Sequence, residues 1–383
     1  MPLAGRRLLL LAEYDRHGGT REYFKRLIDL YSRQGAEVIA VTTFEPDDPN
    51  MRRFVEGRGF RLENFSTFSS GTDNARPERS PATWSYLAYR GEQKLFRKFL
   101  AQDAVDQVVI SVGTSGRFLS AASVLPSPLL IAHGYPHGLR QQLLGKLIHG
   151  KQLRDDLTIV PVSRFSGKQF DRFWATHKRR VQVEPILSTC GSDLPPRNAE
   201  SRSSLVLTAA LMEQTKNPAD WLAIARQSKL MAAGDGGPRF SWLGDGPLLE
   251  VARASAAAEG LDNVSFPGWS DDVHTAYDAA RVYLQTSKVE SLGLSVVDAI
   301  RHGVPCVVAN SGGLPEIIDH GVNGFIYEPG DIASAIRFIL QLLKDDELHS
   351  EQSEACRAIY RERFGESRWE SALIAAHMKA LQQ

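Results

Sequence analysis

Glu290 and Asp298 stand eight positions apart in the stretch Glu-Ser-Leu-Gly-Leu-Ser-Val-Val-Asp. Packing alone explains neither acid, because a buried carboxylate is costly unless a partner meets it. Gly293 is a natural helix start: Leu294-Ser295-Val296-Val297 and Ala299-Ile300 continue from it, and Gly303-Val304-Pro305 ends the run. The first-turn amides of such a helix lack partners within it and lie at the positive end of its dipole. They form an anion site that needs no side chain, and phosphate fits it. Glu290 falls just before the helix and Asp298 in its second turn, so both carboxylates flank that anion and accept from hydroxyls of a sugar or ribose. A sugar nucleotide meets all three demands.

The elements that must hold this segment can be read from hydrophobic periodicity. Leu8–Ala12, a Gly18-Gly19-Thr20 turn, a helical pattern through Tyr23, Phe24, Leu27, Ile28 and Tyr31, then Val38–Val41 make a strand–helix–strand unit, the start of a parallel sheet. Apolar runs at 108–110, 129–132 and 159–162 extend it, and the Ser-, Thr- and Pro-rich stretch 64–82 reads as a long loop. A polar stretch from Ser192 to Ser204 suits a linker, after which strand patterns recur at 205–208, 240–243, 264–266, 282–284, 306–308 and 324–326. The expectation is α/β, with two doubly wound parallel-sheet domains at 1–190 and 191–365. A closing helix at 366–383, after the Phe364-Gly365 break, is expected to rejoin the first domain.

A chain of 383 residues exceeds one comfortable core, which fits two domains with a cleft between them. At 43% hydrophobic and 23% charged residues, disordered and collagen-like classes drop out. The longest apolar opening stops at Glu13, well short of the roughly 20 residues that cross a bilayer. Glu13 and Asp15 also stand where a secretory cleavage site would need small residues, so a cytoplasmic location is expected. Cys190, Cys306 and Cys356 lack metal spacing and read as structural thiols. Net charge is zero, yet residues 1–185 carry 28 Lys and Arg against 19 Asp and Glu, while 186–383 carry 17 against 26. Such segregation fits an anionic partner for the first half, or simple attraction between the halves.

Gly244-Asp-Gly-Pro247, Asn263 through Trp269, Ser287-Lys-Val-Glu290, Asp298-Ala299, Gly303-Val-Pro305, Gly312-Gly-Leu-Pro-Glu-Ile-Ile318 and Gly321-Val-Asn-Gly324 occur in this order. In them the chain resembles glycosyltransferase family 4, the retaining GT-B type also called glycosyltransferase group 1. Gly18-Gly19-Thr20 and His133-Gly134 extend the likeness into the first half.

That resemblance implies two Rossmann-like domains facing a central cleft, acceptor on the first and nucleotide sugar on the second. It implies donor contacts from Gly18, Gly19, Lys216, Gly268, Glu290, Leu292, Gly293, Leu294 and Asp298, with Glu290 on the donor sugar and Asp298 on the ribose. Lys216 on the diphosphate and His133 on the reacting sugar complete the catalytic set with Glu290; His137 is a nearby alternative to His133. Glu316, after Pro315, reads as a first-turn acid favoured by the helix dipole. The donor is a UDP-sugar or GDP-sugar, the acceptor a glycan, lipid-linked group or small molecule, and peripheral association with the inner membrane face is a further expectation. Neither a cofactor nor a metal is called for, and no Asp-x-Asp occurs in the chain. Two departures stand out. The second acid is Asp298 rather than Glu, and the Arg that the family places before Lys216 is Ala210. The second departure keeps a non-catalytic GT-B homologue in play, and a nucleotide-sugar epimerase is the other alternative; a dinucleotide dehydrogenase is not, since no Gly-x-Gly-x-x-Gly follows a strand.

Overall fold

A computed structural model describes residues 1–13, 19–42, 49–64, 86–112, 121–133, 156–174, 185–194, 204–231, 237–270 and 272–383. Gly18, Gly134, His137, nearly all of the 64–82 loop and the 195–203 part of the expected linker lie outside the described residues. By contact, the chain divides into one unit of residues 1–187 with 369–383 and a second of 188–368.

The first unit holds a parallel sheet of β1 (Arg7–Ala12), β2 (Glu37–Thr42), β3 (Arg61–Asn64), β4 (Gln107–Val112), β5 (Leu129–Ala132) and β6 (Thr158–Pro161), in the order β3-β2-β1-β4-β5-β6. Leu8 to Leu11 are wholly buried, as a strand covered on both faces requires. Periodicity did not flag β3, whose Arg-Leu-Glu-Asn sequence is that of a charged edge strand; Arg61 and Glu63 pair at 2.7 Å on it.

The last helix, Glu366–Leu381, follows a π-helical turn at Tyr360–Phe364. Buried Trp369 donates its indole N–H to the Tyr23 hydroxyl (3.2 Å), and His377 meets the Tyr31 hydroxyl (3.1 Å) and Gln107 Oε1 (2.7 Å). These bonds fasten the helix to Gly19–Arg33 and β4 of the first sheet.

The second unit repeats the plan with β7 (Leu205–Ala209), β8 (Arg239–Leu243), β9 (Val264–Gly268), β10 (Val282–Gln285), β11 (Cys306–Ala309) and β12 (Gly324–Tyr327), ordered β12-β11-β10-β7-β8-β9. Counted from its own first strand, this is the order of the first sheet. Trp221 and Trp242 pack edge-on at 5.5 Å in its core. Trp221 also donates to Thr208 Oγ1 (2.9 Å), which donates to the Leu284 carbonyl (2.6 Å) and so ties β7 to β10 from inside. The three cysteines are buried thiols that form no disulfide. Among the described residues no helix is long and apolar enough to cross a membrane.

Candidate functional site

In doubly wound sheets the strand order reverses between the first and fourth strands, and the crevice beyond their carboxyl ends is where ligands bind. In the second unit that point lies between β7 and β10. The chain leaves β7 through a loop that ends in a short 3-10 turn, Gln214–Lys216, and leaves β10 through 286–293. The two exits are stitched together: Lys288 N–H donates to the Thr215 carbonyl (2.8 Å), and Thr286 Oγ1 donates to the Lys216 carbonyl (2.8 Å). Lys216 Nζ thereby comes to 2.6 Å from Glu290 Oε2, with both side chains largely shielded, at 20% and 14% exposed.

A buried polar relay backs Glu290. Tyr283, Gln285 and Ser287 are spaced by two and share one face of an extended segment. The Tyr283 hydroxyl donates to Gln285 Oε1 (2.9 Å), Gln285 Nε2 to Ser287 Oγ (2.7 Å), and Ser287 Oγ to Glu290 Oε2 (3.3 Å). Burial raises the Tyr283 phenol well above its ordinary range, so this end of the relay stays protonated and donates. Sequence reasoning missed the relay, although its signal was present in polar tips at period two after an apolar strand.

The main chain of Glu290 is clamped by the Gly312-Gly313 turn. Gly313 N–H donates to the Glu290 carbonyl (2.9 Å), and a Cβ on Gly312, which has φ +61°, would lie 1.9 Å from that oxygen. A side chain at 312 would push Glu290 away, which gives the Gly-Gly pair a steric reason.

Gly293 (φ +104°) caps the helix Leu294–Arg301. Val296 and Val297 turn their N–H groups back to the Gly293 carbonyl, which leaves the amides of Leu294 and Ser295 with no carbonyl of the helix to bond. Leu292 is buried beneath this start. Asp298 lies one turn on, half-buried, and accepts from Arg301 Nη1 at 3.3 Å. Gly268 ends β9 with φ +85°, and its carbonyl accepts from Gly244 N–H (2.8 Å). Ala210 stands where the resemblance expected Arg; its carbonyl accepts from Trp242 Nε1 (2.9 Å) and would meet a Cβ on Gly244 at 2.0 Å. Glu316 closes the 3-10 turn Leu314–Glu316.

The other expected residues lie in the first unit. Gly19 opens the helix after β1 and is exposed. His133 follows β5, with Nε2 3.0 Å from Ser111 Oγ on β4 and its ring edge-on to Tyr23 at 4.4 Å. Burial pushes His133 down to about 4, so its imidazole is neutral at pH 7.

A further cluster that sequence reasoning missed surrounds Asp298. His302 caps the end of the same helix; its Nδ1 meets Asp278 at 2.7 Å and its Nε2 meets His274 Nδ1 at 3.0 Å. Burial lowers the His302 pKa against the opposing pull of Asp278.

Comparison with known proteins places the fold in a class. The whole chain has the GT-B fold. It superposes on a glycosyltransferase from Rickettsia africae with a TM-score of 0.73 at 15% identity, covering 99% of both chains. Anabaena HepE, solved with UDP and glucose, superposes at 0.72 with 16% identity over 96% of this chain and 98% of that one. Residues 196–359 match the model of the glycosyl transferases group 1 family. The N-acetyl-alpha-D-glucosaminyl L-malate synthase of Bacillus anthracis is 37% identical over 137 residues, 36% of this chain; the match spans about a third of that relative, 34%.

Proposed function

We propose that the protein is a retaining glycosyltransferase that moves a sugar from a nucleoside diphosphate sugar, UDP- or GDP-linked, to an acceptor hydroxyl. The Lys216–Glu290 pair, set at the switch point of the second sheet beside a helix start, carries this reading. A diphosphate seated on the Leu294 and Ser295 amides would be met by Lys216. Positive charge would thus be in place before negative charge develops on the departing phosphate, a preorganised stabilisation that needs no bridging metal. Glu290, held by Lys216 and Ser287, accepts from a hydroxyl of the donor sugar, and Asp298 from the ribose. Gly18 and Gly19 contribute on the first unit, where neutral His133 holds a hydroxyl of the reacting sugar. The family match at 196–359 and the UDP in the similar HepE structure support the donor class.

The test is release of nucleoside diphosphate from a panel of UDP- and GDP-sugars, with and without glycan, lipid-linked and small-molecule acceptors, in the presence of EDTA. Acceptor-dependent release that survives the chelator is the expected result. Acceptor-independent turnover would indicate an epimerase. Donor binding without any turnover would indicate a non-catalytic homologue, for which Ala210 in place of Arg is the favouring observation. Loss of turnover in EDTA, restored by manganese or magnesium, would overturn the metal-independent mechanism.

A further inference from the structure

We propose that His274, His302 and Asp298 form a binding site for one divalent transition metal ion, zinc above all. Two helices of the second unit build it. Val273–Ala279 contributes His274 and Asp278, and the end of Leu294–Arg301 contributes Asp298 and His302; in each pair the residues are four apart and so share a face. Asp272 fixes where the first helix starts by accepting from Thr275 N–H at 3.2 Å, which places His274 in its first turn.

The ligand atoms of His274, Asp298 and His302 lie within 4.8 Å of one another. His274 Nδ1 and His302 Nε2 are 3.0 Å apart, against about 3.3 Å between two ligands of a tetrahedral zinc with bonds near 2.0 to 2.1 Å. Asp278 holds His302 Nδ1 at 2.7 Å and Tyr277 stacks on the ring at 5.2 Å, so the tautomer with a lone pair on Nε2 is favoured and the ring is held in orientation. His302 is buried, whereas His274 is exposed and gives an ion its way in. Two imidazoles and one carboxylate suit zinc, cobalt or nickel rather than magnesium or calcium, which take oxygen donors. A water would fill the fourth position. Binding requires the Asp298 carboxylate to leave Arg301, now 3.3 Å away, for the metal.

On the donor reading of Asp298, a metal that claims the carboxylate withdraws it from the ribose, so zinc and donor compete.

The experiment is zinc binding to the full chain, read by competition with a chromophoric chelator, for wild type, His274→Ala and Asp278→Asn. Cobalt absorption serves as the geometric readout. Wild type should hold one zinc that His274→Ala lacks, with tetrahedral cobalt bands that vanish in the variant. Asp278→Asn, which alters no ligand, should bind about tenfold more weakly. Equal zinc binding and equal cobalt spectra in wild type and His274→Ala would overturn the site. UDP affinity is then measured with and without zinc. About tenfold weakening is expected in wild type and none in His274→Ala; chelation of zinc by the diphosphate is the same for both proteins. Zinc binding without any effect on UDP would overturn the competition and leave the metal site standing. Absence of zinc binding, with donor affinity still lost in Asp298→Asn, would overturn the metal site and leave the donor reading standing.

Discussion

The first unit has Gly19 at the start of the helix after β1, Ser111 at the end of β4 and His133 just after β5, all uncharged at pH 7. At the ends of β7 and β10 the second presents an ammonium and a carboxylate 2.6 Å apart, beside a helix start. The strand order is the same in both sheets, so topology chose the place and the loops chose the chemistry. A neutral imidazole bonded to a hydroxyl suits an uncharged hydroxyl group. An ion pair shielded from solvent, beside first-turn amides that no helix carbonyl meets, suits a phosphate and the sugar it carries.

If the charged end does the work assigned to it, Lys216→Ala should have the largest effect. Turnover should fall roughly a hundred- to a thousandfold, as for loss of a preorganised charge-stabilising group, and the measurement is steady-state kcat beside the melting temperature. A drop below about tenfold would erase the contrast between the two ends. Asp298→Asn should act next, on affinity rather than rate. A ribose contact is the same in ground and transition states, so donor KM should rise severalfold while kcat moves less; an unchanged KM would remove Asp298 from the donor.

The neutral end makes a smaller, thermodynamic prediction. His133 has a folded pKa of about 4 against 6.5 when exposed, so between these values the unfolded chain binds the extra proton. Stability should be flat above pH 6.5 and fall as pH drops towards 4. His377, pushed by burial to about 3, acts with the same sign in the same unit. His133→Gln should shrink the fall in melting temperature between pH 6.5 and 4; an identical fall in variant and wild type would mean that His133 is not the neutral, desolvated group described.

Much of this was legible in the sequence. Mostly apolar runs of three to five residues marked every strand but β3, the edge strands β6, β9 and β12 among them, because strands of a sheet covered on both faces are rich in apolar residues. β3 lies at an edge too, but its Arg61 and Glu63 alternate with Leu62 and Asn64, so no apolar run marks it. Gly293, Leu294 and the Gly303-Val304-Pro305 stop marked the helix that carries Asp298, because caps are written in local residue types. What stayed hidden depends on pairing across distant segments. Nothing local says that Lys216 meets Glu290, that Gly312 lies against the Glu290 carbonyl, or that His274 meets His302. The steric need for Gly312 appears only once the two loops are side by side.

Glu290→Gln separates a donor-contact acid from a structural one, since the amide fills the same space while removing the charge that Lys216 and a donor hydroxyl share. The loss of a charge-assisted hydrogen bond, about 1.5 to 3 kcal/mol, should lower kcat roughly ten- to a hundredfold. The melting temperature should fall only moderately, since the shielded Lys216 loses its counter-charge but keeps a carbonyl acceptor. A variant with a clearly lowered melting temperature whose folded fraction turns over normally would contradict the account, because Glu290 would then be a structural acid held by Lys216 and Ser287 rather than a group that meets the donor.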